Sequence, residues 1–506
     1  MLVVLVLDAL NQPLLERMMA EGRLPAIAGL REAEGKIPLA GSAEYLESSV
    51  HTTLHTGLEV TEHGIYSPFQ WSAPDQRVRT RDAFQAPQAI WDRLGLAGRR
   101  SLLIDPYDCV SPVDLLGDGV RGWQYTNRVA LPPWSTGSIR RTLVRRFGRP
   151  RSADEIYGRP TPEELLRLRE VLLDGPGRIA DAADELLARE HYDFVWIDFA
   201  SMHTAGHQFL DVDAVAHTAD MDPAELARLH IALEDAYVAG DRAIARVLDR
   251  LPAGADVIVA ATSTMVEETD RADMLPAMLA AVFGEADEDD GEPGRLQLWR
   301  VRASVPRSVR TRIAGLIPDR IALDLTARMA TAGMDWSRTR AFAVPNDPGG
   351  GIRLNLRGRE REGIVAPEQA EELMQEVTAG LLSFADPDGA PAIQDIKRIP
   401  ELEPPGPATP TLPDLIVRWR DRPAAGVTAV HSPRFGTVRR RGIGSGRSGN
   451  HTGGAWAFLA PGESQLRDLG RPAKVVDVAA TVAHLLGADA TGLAGEPLLE
   501  HPGSSR

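Results

Sequence analysis

Phe194-Val-Trp-Ile-Asp-Phe-Ala-Ser-Met-His203-Thr-Ala-Gly-His207 is the stretch on which the reading of this chain turns. Its first residues form an apolar, strand-like run that ends at Ile197. A short turn follows, and then two imidazoles four residues apart. On a helix, positions i and i+4 lie on one face, so both rings point at one spot. Histidine is the commonest protein ligand for zinc, and this spacing is a usual half-site. Two histidines bonded to backbone or water at a helix start account for the pair equally well. The decision rests on what else in the chain converges there.

Outward from this stretch, residues 2–7 form a second continuous apolar run, closed by Asp8. Continuous apolar runs of this length read as buried parallel strands. A carboxylate just beyond such a strand lies at the carboxyl edge of the sheet, where open α/β folds place ligands. Capping of the next helix is the other reading of Asp8. Residues 99–104, 257–260, 414–418 and 455–460 read as further strands. Helices are predicted over 12–33, 162–173, 177–190, 223–250 and 367–383, and again from Val475. The helix at 162 opens with Thr161-Pro162-Glu163-Glu164, a proline in its first turn and carboxylates at its positive end. Strands alternating with helices predict an α/β fold with a doubly wound, mainly parallel sheet flanked by helices. One domain is expected over 1–506, with an insertion or lid at 66–160, a second excursion at 266–345 and an acidic loop at 285–296.

Composition narrows the function. The chain has 506 residues and a formal charge of −15. That charge argues against a nucleic-acid surface. No apolar run is long enough to span a bilayer, so no membrane partner is expected. The N-terminus lacks a basic flank and a small-residue cleavage site, which favours the cytoplasm. Cys109 is the single cysteine, so no internal disulfide and no thiolate zinc cluster can form. Two arginine runs (Arg140, Arg141, Arg145, Arg146 and Arg439, Arg440, Arg441) read as solvated faces. They leave room for an anionic small-molecule substrate. His51, His55 and His63 read as packed or solvated histidines. Asp198 reads as a turn cap, as a carboxylate supplied to the metal, or as a carboxylate that orients a metal-bound histidine.

Taken together and in order, these segments resemble the alkaline phosphatase superfamily, in its branch of type I phosphodiesterase-like and phosphomutase-like predicted phosphohydrolases. The resemblance spans nearly the whole chain. It is carried by the strand ending in Asp8, by Thr56-Gly57 with His63-Gly64, and by the 203/207 pair. It continues through Gly350-Gly351-Ile, Asn355-Leu-x-Gly358-Arg359-Glu360-x-x-Gly363, Ser448-Gly-x-His451 and Val476-Asp477-Val-x-x-Thr481.

The resemblance implies a hydrolase acting on ester bonds, with metal ions beside a nucleophile. For one ion it implies His203 (where the family has Asp), His207 and His451. Three imidazoles are a known composition for a catalytic zinc with an open fourth position. For the second ion it implies Asp8, but the family's Asp-His pair falls on Thr262 and Ser263, whose hydroxyls are poor ligands. The nucleophile position falls on Glu47, with Ser48 next to it. The expectation is an atypical hydrolase of a phosphate or related anionic ester, with one Zn2+ on the histidines. Zinc there would bring the pKa of bound water towards ~7. Glu47 would serve as general base, or bind a weaker second ion with Asp8; alternatively Ser48 or Ser49 is the nucleophile. A catalytically inactive relative that acts as a binding or structural protein is the other expectation.

Overall fold

Residues 2–7 lie at the centre of a sheet that is buried on both faces. Along strand β1 (Leu2–Val6) and just beyond it, Val3, Leu5 and Leu7 enter one core, while Leu2, Val4 and Val6 enter the other. Period-two alternation with both faces covered makes such a strand read as unbroken apolar sequence. The computed structural model describes residues 1–127, 131–156, 158–216, 221–285, 319–331, 333–347, 349–440 and 445–502. Arg441 and all of the expected acidic loop except Glu285 lie outside them.

The main sheet continues with β2 (Lys36–Ala40), β3 (Ser101–Ile104), β4 (Gly117–Val120), β5 (Phe194–Asp198), β6 (Asp256–Ala261), β7 (Trp456–Ala460) and β8 (Ala473–Lys474). Across the sheet the order is β8-β2-β7-β6-β1-β5-β3-β4. β7 runs antiparallel to both its neighbours. The other pairings are parallel. The expected α/β architecture is the observed one.

Five helices matter for the site: α1 (Val50–Thr56), α2 (Pro162–Leu187), α3 (Ala200–Phe209), α4 (Ala232–Leu248) and α5 (Val476–Leu486). The two helices expected at 162–173 and 177–190 are one, α2, which runs straight through Pro176. An interior proline costs ~3 kcal/mol. Leu165, Leu172, Ile179 and Leu186 recur every seven residues along α2 and are all fully buried. At ~1.5–3 kcal/mol for each, they outweigh that cost. The glycine before the proline has its own reason. A Cβ on Gly175 would lie 2.2 Å from Ser201 Oγ, so glycine is what lets α2 and α3 touch. The helix expected over 223–250 is two, Pro223–His230 and α4, with Ile231 between them at φ −99° and ψ 5°. This break keeps Leu229 and Leu233 both buried while Ile231 faces out. The stretch 12–33 is also two helices, Gln12–Ala20 and Pro25–Glu34. Among the described residues no helix is long and apolar enough to cross a membrane.

A second, antiparallel sheet has Ala341–Val344, Gly350–Leu354, Leu415–Trp419 and Ile393–Arg398 in that spatial order. Helices Leu275–Val282 and Ala370–Leu381 help to build its separate apolar core. Beside it lies a buried polar knot. Glu360 accepts from Arg353 Nε at 2.8 Å, from Arg359 Nε at 2.8 Å and from Trp71 Nε1 at 2.7 Å. The Arg353 and Glu360 side chains are 1% and 0% exposed. Truncating one member of such a pair strands the other's charge in the interior. Glu360→Ala is therefore expected to lower unfolding stability by about 3–5 kcal/mol, read from the shift in urea midpoint. A loss below ~1 kcal/mol would mean that this pair behaves like an exposed one.

Candidate metal centre

The carboxyl ends of β1, β5 and β6 come level: Val6 pairs with Asp198 on one side and with Ala260 on the other. The chain leaving each strand brings polar groups to that edge. Asp8 follows β1, Thr262 and Ser263 follow β6, and α3 follows β5 with His203 and His207 one turn apart. All five side chains are buried. His451 arrives from far along the chain. Its strand, Gly449–Thr452, runs antiparallel to Thr264–Glu267, with His451 opposite Met265. A Cβ on Gly449 would lie 2.4 Å from the Gly206 carbonyl oxygen, so only glycine lets this strand reach α3.

The three rings meet. Their centroids are 4.9 Å apart for His203–His207, 4.7 Å for His203–His451 and 4.7 Å for His207–His451. Each offers a nitrogen within 4.8 Å of the others. His203 Nε2 faces His207 Nε2 at 2.9 Å. The remaining nitrogens of this pair are committed. His203 Nδ1 is 3.2 Å from Asp8 Oδ2, and His207 Nδ1 is 2.8 Å from the Gly449 carbonyl oxygen. Both partners are acceptors, so both Nδ1 atoms carry the proton. In neutral rings the two Nε2 atoms then confront each other as lone pairs, which needs a proton or a cation between them. Burial, reinforced by Arg447, His451 and His203, pushes the His207 imidazolium well below its ordinary range. Burial and His203 push His451 down to about 3. Imidazoles with their outer nitrogens held by a carboxylate and a carbonyl are a group that could hold a metal ion.

Asp8, expected as a ligand, sits at the centre with its oxygens occupied. Oδ2 contacts His51 Nε2 at 2.9 Å as well as His203. Oδ1 accepts from the Thr262 amide at 3.3 Å, the Ser263 hydroxyl at 3.3 Å and the Thr262 hydroxyl. Five donors exceed the roughly four lone-pair sites of a carboxylate. Burial opposes its ionisation, yet the adjoining His51 and His203 hold its pKa well below the usual range. In return Asp8 raises His51 to about 9, against the effect of burial.

Glu47 lies on the His451 side of the site. Its Oε1 is 3.4 Å from His451 Nδ1, which also meets Ser263 Oγ at 3.1 Å. Asp8, Glu47 and His451 each offer an atom within 4.8 Å of the others, so this side is a second possible ion position. Burial, then Asp8 and Asp347, push the Glu47 carboxyl well above the ordinary range. The Ser48 hydroxyl donates to Glu47 Oε2 at 3.3 Å. Asp198 accepts from the Tyr107 amide, and burial raises it to about 7.

Two participants escaped sequence reasoning. His51 reads from the sequence as a packed or solvated histidine. Its spacing of four residues from Glu47 was the available signal. Arg447, whose Nε is 2.7 Å from Glu155 and whose Nη1 is 2.8 Å from Asp347, brings a positive charge that acts on His207, His451 and Glu47. Nothing local distinguishes it. His63 is a packing residue, with Nε2 3.0 Å from the Thr53 hydroxyl and Nδ1 accepting the Ile65 amide at 3.0 Å. Arg440, read as solvated, is instead tied to Asp273 and to the Ala424 and Val427 carbonyls.

Among solved structures the chain is similar to phosphonoacetate hydrolase from Sinorhizobium meliloti 1021, in complex with phosphonoformate. That likeness has 14% identity and a TM-score of 0.51, covering 96% of this chain and 95% of that one. It is also similar to murine ectonucleotide pyrophosphatase / phosphodiesterase 5, at 11% identity and a TM-score of 0.49 over 99% and 100% of the two chains. The human form of that protein stands at 10% identity and a TM-score of 0.46 over 98% and 97%. At these identities the first likeness speaks to the fold alone, and the other two carry no weight. No curated protein matches the chain by sequence. A family model described as type I phosphodiesterase / nucleotide pyrophosphatase matches residues 2–422. With more than half its length matched, the chain belongs to the type I phosphodiesterase / nucleotide pyrophosphatase family, hydrolases that act on ester bonds.

Proposed function

We propose that this chain hydrolyses a phosphate ester or a related small anionic ester, using a single divalent cation of the zinc type held by His203, His207 and His451. The observation that carries the reading is the pair of facing Nε2 atoms, 2.9 Å apart, whose outer nitrogens are both committed to acceptors. A cation bound there supplies Lewis acidity and makes bound water more acidic.

The chain's own residues supply the rest. Asp8 orients His203, the Gly449 carbonyl orients His207, and His51, protonated near neutral pH, balances the Asp8 charge. Glu47 is a buried carboxyl whose pKa is pushed above the ordinary carboxylate range by burial and by Asp8 and Asp347, which suits it to hold and release a proton. Ser48 supports that carboxyl through its hydroxyl. Saturation of Asp8, with hydroxyls at 262 and 263, disfavours a second ion.

Elemental analysis coupled to an activity screen tests this. The screen takes phosphomonoesters, phosphodiesters, sulfate esters and phosphonoacetate, with and without added zinc or manganese. About one ion per chain is expected, with hydrolysis that a chelator removes and metal restores. Two tightly held ions would overturn the single-ion reading. Protein free of metal and inert in every arm would overturn the whole proposal.

A further inference from the structure

A cavity of about 280 Å³ lies beside α1, with His55, Arg81, Trp91, Asp92 and Cys109 in its walls. None of its lining residues belongs to the three-histidine centre. Its volume far exceeds the ~30 Å³ share of one water molecule.

Its walls carry buried polar atoms that bond to no protein group. Arg81 is 3% exposed, and its Nε and Nη1 have no protein partner. Trp91, 0% exposed, leaves its indole Nε1 unpaired, and His55, 5% exposed, leaves both ring nitrogens unpaired. The His55 and Trp91 rings stand 5.1 Å apart. Among the described residues no carboxylate pairs with Arg81. Of the acids in the wall, Asp92 is committed through Oδ1 to the Val113 and Asp114 amides, at 3.0 and 2.9 Å. Asp108 and Asp114 also line the space without reaching Arg81.

A buried guanidinium without a counter-charge is strongly destabilising, and a fold that keeps one beside a cavity has a use for it. Burial, with His51 and Arg81 nearby, holds His55 well below its ordinary pKa, so the ring is neutral and offers one donor and one acceptor. Arg81 Nε and Nη1, the Trp91 indole N–H and a His55 ring N–H are buried donors with no protein acceptor. That is the polarity of an oxyanion pocket. We infer that this cavity is a second anion site, in which Arg81, the Trp91 indole and the His55 imidazole hold a small oxyanion of the carboxylate or phosphate class.

Titration calorimetry on the full chain tests the site, with inorganic phosphate and acetate as separate probes. At least one probe is expected to bind. Arg81→Gln should weaken that binding at least about tenfold, and Trp91→Phe should weaken it severalfold. His207→Ala should leave it unchanged, which separates this site from the histidine centre and from any failure of the proposed activity. Phosphate binding alone, or acetate binding alone, identifies the source. If Arg81→Gln fails to fold, Arg81→Lys keeps the charge but loses the planar fork, and must still weaken binding together with Trp91→Phe. Unchanged affinity in the folded Arg81 and Trp91 variants overturns the inference. So does binding that His207→Ala abolishes, or no binding of either anion in the millimolar range.

Discussion

His207→Ala is expected to strip the protein of its metal and its hydrolytic activity together. The two imidazoles left on His203 and His451 are too few for a stable tetrahedral site, which needs three protein ligands when one position stays open. The folded scaffold should survive. The ring's inner nitrogen meets only another histidine, and its outer one meets the Gly449 carbonyl at the end of a strand. Far-UV circular dichroism should therefore match the wild type, while metal per chain falls towards zero. Asp8→Asn is the instructive contrast. It disturbs the group behind His203 and leaves all three imidazoles in place. Its metal affinity should fall by about 10–100-fold, the usual cost of losing an outer partner of a ligand. Metal competition against a chromogenic chelator separates the two outcomes. If His207→Ala keeps stoichiometric metal, the ion is held elsewhere.

Glu47→Gln is expected to cut kcat by about 10²–10⁴-fold, the usual contribution of a positioned acid or base, with metal content unchanged. Glutamine keeps the shape of this buried side chain but can neither take up nor release the proton. Ser48→Ala should stay within a few-fold of wild type, because it removes only the hydroxyl that donates to Glu47. The opposite pattern would identify a serine ester. The pH profile adds an independent check. Burial with Asp8 and Asp347 holds the Glu47 pKa above the ordinary carboxylate range. A base must be ionised to act, so the rate should fall as pH drops through that raised value. The corresponding acid limb should vanish in Glu47→Gln. A limb that persists unchanged belongs to another group.

How much of this was legible depends on how local each feature is. The runs at 2–7, 194–197 and 257–260 could be read as central strands because burial on both faces leaves no polar alternation. The pair at 203 and 207 was legible for a similar reason, since a helix alone puts i and i+4 on one face. The break expected within α2 was misread because Pro176 is a strong local signal. The seven-residue recurrence of Leu165, Leu172, Ile179 and Leu186 was the better guide. The pairing of His51 with Asp8 joins residues 43 apart, and that of His207 with Gly449 joins residues 242 apart. No local pattern encodes either.

By itself, the amino-acid sequence determined the α/β scaffold, the family and the residue types available for a metal centre. Each of these follows from short-range periodicity or from ordered motifs. Only the tertiary structure decided which groups touch. It surrounded Asp8 with five donors, brought His51 and Arg447 to the site, and left Arg81 Nε and Nη1 without a protein partner beside a cavity. The physical reason is that a hydrogen bond or an ion pair depends on ångström-scale distance, and distance between residues hundreds of positions apart is set by the packing of the whole sheet.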